Sequence, residues 1–378
     1  MKYSVLLPTR NGGDYLENCI LSILEQDFDD FELVISDNAN ADATPGIIEK
    51  YHAHPKVKAV RSERVLSVTE NWNNALLSSS GEYILMMGDD DYLLPNYFQR
   101  MNGILARHQN PDCVVHNAYS YVAPASIDGN PASYYSEAHF SFAAPLDQEQ
   151  AMQHALNVSI VRDMFRFRVR IPLNMQTTLI RREAANQIPG GVFQAPFPDH
   201  FALNSLLLMS DRWVFSPERL LIVGVSPKSF GHYVYSNEQG GGLAYLGIKS
   251  DFPGRLPGSE LTNGMYAWLL KLKDVYADQL QGINIDRAGY VRRQIYAWLM
   301  QWRLGHLSLM DMIARLRLLS PGDWLGLAAT AFDGESWRRL GGIINSKSRG
   351  SVESQLHRLQ RLDGIATIRQ FAQWLVRK

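Results

Sequence analysis

Through the first 120 residues, short apolar runs alternate with segments whose apolar positions recur every three to four residues. Tyr3–Leu7 is an apolar run that stops at Pro8. In Asp14–Gln26 the stripe Leu16, Ile20, Ile23 and Leu24 follows helical spacing. Phe31–Ile35 reads as a second strand ending at Asp37, and Thr44–Tyr51 as a short helix with Thr44 as cap and Pro45 suited to its first turn. Val57–Val60 predicts a third strand, Val68–Leu77 a helix, and Tyr83–Met87 a fourth strand running into Gly88-Asp89-Asp90-Asp91. Pro95–His108 then reads as helix and Cys113–His116 as strand. Strands joined by helices of this length imply βαβ units and a mainly parallel sheet. In such sheets ligands bind outside the carboxyl ends of the strands. Those ends carry Thr9-Arg10-Asn11, Asp37-Asn38 and the three aspartates.

Beyond residue 120 the pattern weakens. Pro124, Gly129, Pro131 and Pro145 mark a long excursion, and Val158–Arg170 carries four arginines at 162, 166, 168 and 170. Asn174–Ile180 predicts a return to the sheet, Phe201–Met209 a helix opened by Pro198-Asp199-His200, and Leu220–Val225 a strand. Gly240-Gly241-Gly242 reads as a joint; no Gly-Lys-Ser/Thr follows, so it is no phosphate-binding P-loop. Helical spacing dominates afterwards: Leu261–Leu280, Arg287–Arg303, Leu309–Leu319 and Val352–Val376. The expected organisation is an α/β nucleotide-binding domain over residues 1–240, a linker over 241–258 and a helical domain over 259–378.

Composition sharpens this division. The 378 residues carry a net charge of −1, which excludes a chain-wide basic nucleic-acid footprint. That near-neutrality is a sum of opposites. From residue 284 onward there are 15 Lys/Arg against 7 Asp/Glu, and five of the eight tryptophans (Trp298, Trp302, Trp324, Trp337, Trp374) lie there. The basic, Trp-rich end predicts either a peripheral contact with an anionic membrane or helices packed through their tryptophans. Cys19 and Cys113 are too few for a disulfide framework and fit a reducing cytoplasm. The apolar start is too short for a signal peptide, and no run is long enough to span a membrane. The expected location is therefore cytoplasmic, with room for attachment at the inner membrane face.

The strongest chemical candidate is Asp89-Asp90-Asp91. Three adjacent carboxylates repel one another, and removing them from water needs donors or a cation. Mg²⁺ or Mn²⁺ bridging a diphosphate would supply one. An acidic turn capping the following helix is the alternative.

The order and spacing of these blocks resembles an inverting family-2 glycosyltransferase with the GT-A fold. SVLLPTRNGGDYLENCILSILEQDFDDFELVISDNANADAT is similar to that family's first strand, Pro-Thr turn, first helix and second strand ending in Asp. NWNNALLSSSGEYILMMGDDDYLLP is similar to its Asn-bearing helix, Gly-Glu-Tyr strand and Asp-x-Asp motif. The resemblance implies a nucleoside-diphosphate (UDP) sugar donor, a saccharide or lipid-linked acceptor and a divalent cation. By position it implies that Pro8, Thr9, Asn11, Asp37 and Asn73 line the donor. Asp89 or Asp90 would then meet the ribose, and Asp91, with Asp89, the metal. The sequence departs from the family at Arg10, Asn40, Ala75 and Gly88.

Inverting transfer needs a base for the acceptor hydroxyl, and in this family an acidic residue opening a later helix serves. Asp199 matches that place; simple helix capping is the alternative, and His200 is a second candidate base. In Ser226-Pro-Lys-Ser-Phe-Gly-His232, Lys228 would neutralise a phosphate and His232 would add a metal ligand, unless both are solvated loop residues. A sugar nucleotidyltransferase is disfavoured because Gly-x-Gly-Thr-Arg is missing after the first strand. A nucleotide-sugar-binding scaffold without turnover remains a non-enzyme alternative.

Overall fold

The computed structural model describes residues 1–126, 131–138, 146–168, 174–227, 251–303, 305–330 and 359–377. Lys228, His232, the Gly240–Gly242 joint, Arg170 and Trp337 lie outside them.

The βαβ reading of the first hundred residues is realised. Strands β1 (Tyr3–Thr9), β2 (Phe31–Asp37), β3 (Val57–Arg61) and β4 (Tyr83–Met86) alternate with helices α1 (Leu16–Leu24), α2 (Thr44–Tyr51) and α3 (Val68–Leu77). β1 pairs in parallel with both β2 and β4, and β2 with β3, giving the order β4-β1-β2-β3. β1, β2 and β4 are buried on both faces, which is why they read as continuous apolar runs. α3 opens on a capping box: Ser67 accepts from the Glu70 backbone N–H, while Glu70 accepts from that of Ser67.

Past β4 the sheet becomes mixed. β5 (Tyr92–Leu93), α4 (Tyr97–Arg107), β6 (Cys113–Val122), β7 (Ser133–Ala138), β8 (Gln150–Met152) and α5 (His154–Phe165) precede β9 (Thr178–Arg181), α6 (Arg182–Asn186), α7 (Pro198–Met209) and β10 (Trp213–Val225). β9 lies antiparallel between β4 and β6. β10 runs parallel to β6, and its far end pairs antiparallel with β5, the two-residue strand that follows the aspartates.

The later chain adds α8 (Glu260–Val275), α9 (Arg287–Arg303), α10 (Leu309–Leu316), α11 (Pro321–Thr330), β11 (Gln360–Leu362) and α12 (Ile368–Arg377). Two findings bear on the expected helical domain. First, Phe252, Leu256, Trp268, Leu272, Tyr290 and Trp298 belong to the same buried apolar cluster as Phe165, Phe201, Leu206 and Trp213. Helices α8 and α9 therefore share a core with α5 and α7. Second, the helix expected over Val352–Val376 is confined in the described residues to α12, and β11 ahead of it joins the main sheet antiparallel to β7. Trp298 is fully buried and Trp374 packs on the sheet, whereas Trp302 and Trp324 are about half exposed. Among the described residues no helix is long and apolar enough to cross a membrane.

Candidate functional site

The carboxyl ends of β1, β2 and β4 meet at one edge of the sheet, and the sequence-predicted polar residues gather there. Thr9 closes β1. It is fully buried, and its Oγ1–H donates to Asp89 Oδ2 (2.7 Å). Thr9 thus orients a carboxylate and is itself covered. Pro8 is partly exposed beside it. Asn11 takes the left-handed conformation at φ 55°, which asparagine tolerates better than most residues. Its Oδ1 accepts from the Ala41 N–H (3.1 Å), and its own N–H donates to Asn40 Oδ1. Gly12 is required by close approach: a Cβ there would stand 2.0 Å from Asp89 Oδ2.

Asp37 at the end of β2 is buried. Its Oδ1 accepts from both the backbone and side-chain N–H groups of Asn40 (3.0 and 2.7 Å), and its Oδ2 faces Arg61 Nη1 at 3.4 Å. The departures Arg10 and Asn40 have structural work here: Arg10 donates to the Asn38 and Ala39 carbonyls. The buried Asn38 clasps the Leu66 N–H and C=O, fixing the loop ahead of α3.

The three aspartates divide their roles. Asp91 is buried, with Oδ2 accepting from the Gly88 N–H (2.6 Å) and Oδ1 from the Gly224 N–H of β10 (2.9 Å). Burial pushes its carboxyl well above the usual carboxylate range and the Asp90 charge adds to this, against the opposing pull of the two N–H groups. Asp89 and Asp90 are only partly buried. Asp91 is therefore the anchor of the turn, whereas Asp89 and Asp90 keep part of their surface exposed. Among the described residues no group of three or more His, Cys, Asp or Glu could by itself hold a metal ion. Cys19, on α1, donates its thiol to the Gly88 carbonyl (3.3 Å) and supports the same turn from below.

Asn73 does not extend toward these strand ends by any bond seen here. Its Nδ2 donates to the Phe193 carbonyl (2.9 Å), and the neighbouring Trp72 ring stands edge-on to Phe193. That contact ties α3 to the loop leading into α7. Asp199 lies in the first turn of α7, whose N-cap position is Phe197. Capping is thus not its task, although a negative charge suits this helix end. The carboxylate is partly exposed and makes no hydrogen bond or ion pair among the described residues. The His200 ring stacks on Trp268 (5.7 Å, 8°) and sits edge-on to Phe197, so its place is in the aromatic packing. Arg162, Arg166 and Arg168 are exposed.

Sequence reasoning missed Gly224 and Arg61. A lone glycine inside an apolar strand was the available sign for Gly224, because it marks close approach of another backbone. Arg61 becomes visible only once β2 and β3 are paired, which sets it beside Asp37.

Residues 4–155 match the model of Glycosyl transferase family 2. The expected α/β domain with a largely parallel first half, followed by helices, is borne out. Poly(ribitol-phosphate) beta-N-acetylglucosaminyltransferase TarS of Staphylococcus aureus is 34% identical over 96 residues, 25% of this chain and 17% of that protein. GalNAc(5)-diNAcBac-PP-undecaprenol beta-1,3-glucosyltransferase of Campylobacter jejuni is 35% identical over 95 residues, 25% of this chain and 31% of that protein. The chain thus spans less than a third of these relatives. The crystal structure of S. aureus TarS 1-349 with UDP-GlcNAc aligns at TM-score 0.47 and 19% identity, covering 84% of this chain and 90% of that one.

Proposed function

We propose that the protein is an inverting glycosyltransferase that moves a sugar from a nucleoside diphosphate, UDP first among the candidates, to a hydroxyl of a saccharide or lipid-linked glycan. The observation that carries this reading is the gathering of Asp37, Asn11, Asp89 and Asp90 at the carboxyl edge of three adjacent parallel strands within a family-2 domain. Asp37, steadied by Asn40 and Arg61, would meet the base. Asn11, held by Asn40 and Ala41, shapes the bend beside it.

Asp89 and Asp90 offer hard oxygen donors suited to Mg²⁺ or Mn²⁺. With too few protein ligands for a closed cage, they would share the ion with the donor's phosphates and water, the usual coordination of Mg²⁺. Bound there, the cation would stabilise charge on the leaving diphosphate. Asp91 is a poor ligand because both its oxygens already accept backbone N–H bonds. Thr9 keeps Asp89 in place, a role distinct from the direct donor contact expected of it.

Asp199 is the base in this reading. Its carboxylate takes the proton of the acceptor hydroxyl. The freed oxygen bonds to the anomeric carbon from the face opposite the diphosphate, and the carbon–oxygen bond to the diphosphate breaks. Lys228 and His232 keep their proposed phosphate and metal roles by position alone. The test is Asp199→Asn with UDP-sugar and Mn²⁺. Transfer should fall at least about 100-fold, within the contribution of a general base, with UDP affinity unchanged. Undiminished transfer in that variant removes Asp199 from the role. Donor binding without turnover on any acceptor, in the unaltered protein, would favour the scaffold alternative.

A further inference from the structure

We infer that the C-terminal strand and helix, residues 359–377, position the carboxylate turn, with Phe371 as the positioning residue. The inference rests on the reading above that this turn receives the donor's diphosphate.

The chain of contacts is continuous. β11 pairs with β7 through Gln360–Tyr135, Arg361–Tyr134 and Leu362–Ser133, and Ser133 Oγ–H donates to the Ile365 carbonyl (2.5 Å). This delivers α12 across the sheet face. Phe371 is fully buried there, stacked on Tyr121 (5.6 Å, 21°) and Trp374 (5.8 Å, 23°) and tilted against Tyr135 (5.1 Å). Ile368, Phe371 and Ala372 share one apolar cluster with Tyr92 and Ile222, and Tyr15 packs against it.

Each of those last three residues adjoins the site. Tyr92 follows Asp91 directly in the chain, and Ile222 is its strand partner. Two residues beyond Ile222, Gly224 donates to Asp91 and abuts the Asp90 carbonyl. Tyr15, at the N-cap of α1, feels the charges of Asp89 and Asp90. The helix is also tethered to α1 by Arg369–Glu25 (2.7 Å), but that pair is half exposed, and such pairs contribute little. Apolar packing around Phe371 therefore sets where β5 and β10 sit, and those two strands set where Asp90 and Asp91 sit. What this packing sets is the turn's position, to which reacting groups are sensitive on the scale of about 1 Å.

The experiment compares full-length Phe371→Ala, Phe371→Leu and Leu280→Ala. Leu280 is equally buried, in the core shared by α5, α7 and α8. The readouts are UDP affinity in Mn²⁺ by calorimetry, and amide hydrogen exchange of peptides covering residues 87–93 and 220–226. The expected result is a roughly tenfold or greater loss of UDP affinity in Phe371→Ala. Phe371→Leu should recover part of it, and Leu280→Ala should stay within about twofold at a similar fall in melting temperature. Exchange at Gly88 and Gly224 should quicken in the Phe371 variants alone. Unchanged exchange and affinity in the Phe371 variants overturn the inference, as does an equal loss in Leu280→Ala. If Phe371→Ala does not fold, Phe371→Leu decides on the same readouts. If the unaltered protein binds no UDP, the donor reading fails, and exchange alone still decides the positioning role.

Discussion

Replacing Gly224 with alanine tests the division of labour among the aspartates directly. A Cβ at this position would lie 1.8 Å from the Asp90 carbonyl oxygen and 2.5 Å from its carbon, where ordinary contact begins at 3.4 Å. The obstacle is backbone, so no rotamer change relieves it, and the aspartate turn and β10 must part by about 1.6 Å. Overpacking of this kind costs about 1–3 kcal/mol of stability, which a domain of ordinary stability survives. The same parting stretches the Gly224 N–H bond to Asp91 and moves Asp90 relative to Asp89. A displacement near 1 Å at reacting groups costs about 100-fold in rate, or about 2.7 kcal/mol of barrier. The assay is UDP release from a UDP-sugar with acceptor and Mn²⁺, with circular dichroism and thermal melting on the same samples. Gly46→Ala is the control: nothing lies within 4 Å of its Cβ, and the change should be neutral or stabilise α2 by about 0.5–1 kcal/mol. A folded Gly224→Ala protein with transfer within about threefold of normal would refute the claim that β10 fixes the turn.

Two further tests follow. Thr9→Val keeps the buried shape but removes the Oγ1–H bond to Asp89, and should cost about 0.5–1.5 kcal/mol of stability and weaken Mn²⁺-dependent UDP binding; unchanged Mn²⁺ dependence in titration calorimetry would show that Asp89 needs no such support. His116 is fully buried, its Nδ1–H donates to the Asn117 carbonyl (2.8 Å), and burial lowers its pKa from 6.5 to about 4. The unfolded chain then takes up a proton that the folded one refuses, so stability is complete above pH 6.5 and falls as pH drops toward 4, by about 3 kcal/mol in all. Urea unfolding across that window should show a shallower pH slope in His116→Gln, and an identical slope would assign the effect elsewhere.

What the sequence discloses and what it hides have a common physical basis. β1 to β4 and the helices between them are legible because each buries a periodic face against near neighbours in the chain. β10 is legible only over its second half, because Ser216-Pro217-Glu218-Arg219 interrupts its apolar run. The register against β6 slips on either side of Arg219, so the strand continues past residues that look like a turn. β5, β7, β8 and β11 are too short or too polar to announce themselves, and they are formed by pairing with distant segments. The aspartate cluster is plain in the sequence, but its inner division is not. The group that claims Asp91 lies 133 residues away, at Gly224. Asn73 was placed correctly on its helix, while its bond to Phe193 depends on a loop 120 residues downstream.

The two ends of the main strand order bear on how the protein meets its own copies. One end is β3, five residues with both Lys58 and Arg61; the other is β11, three residues centred on Arg361. Unpaired strand edges are templates for another chain, and shortness and positive charge blunt them. Short, charged strands at both ends of the described strand order thus disfavour growth by strand addition, the route to aggregation that an extended apolar edge invites.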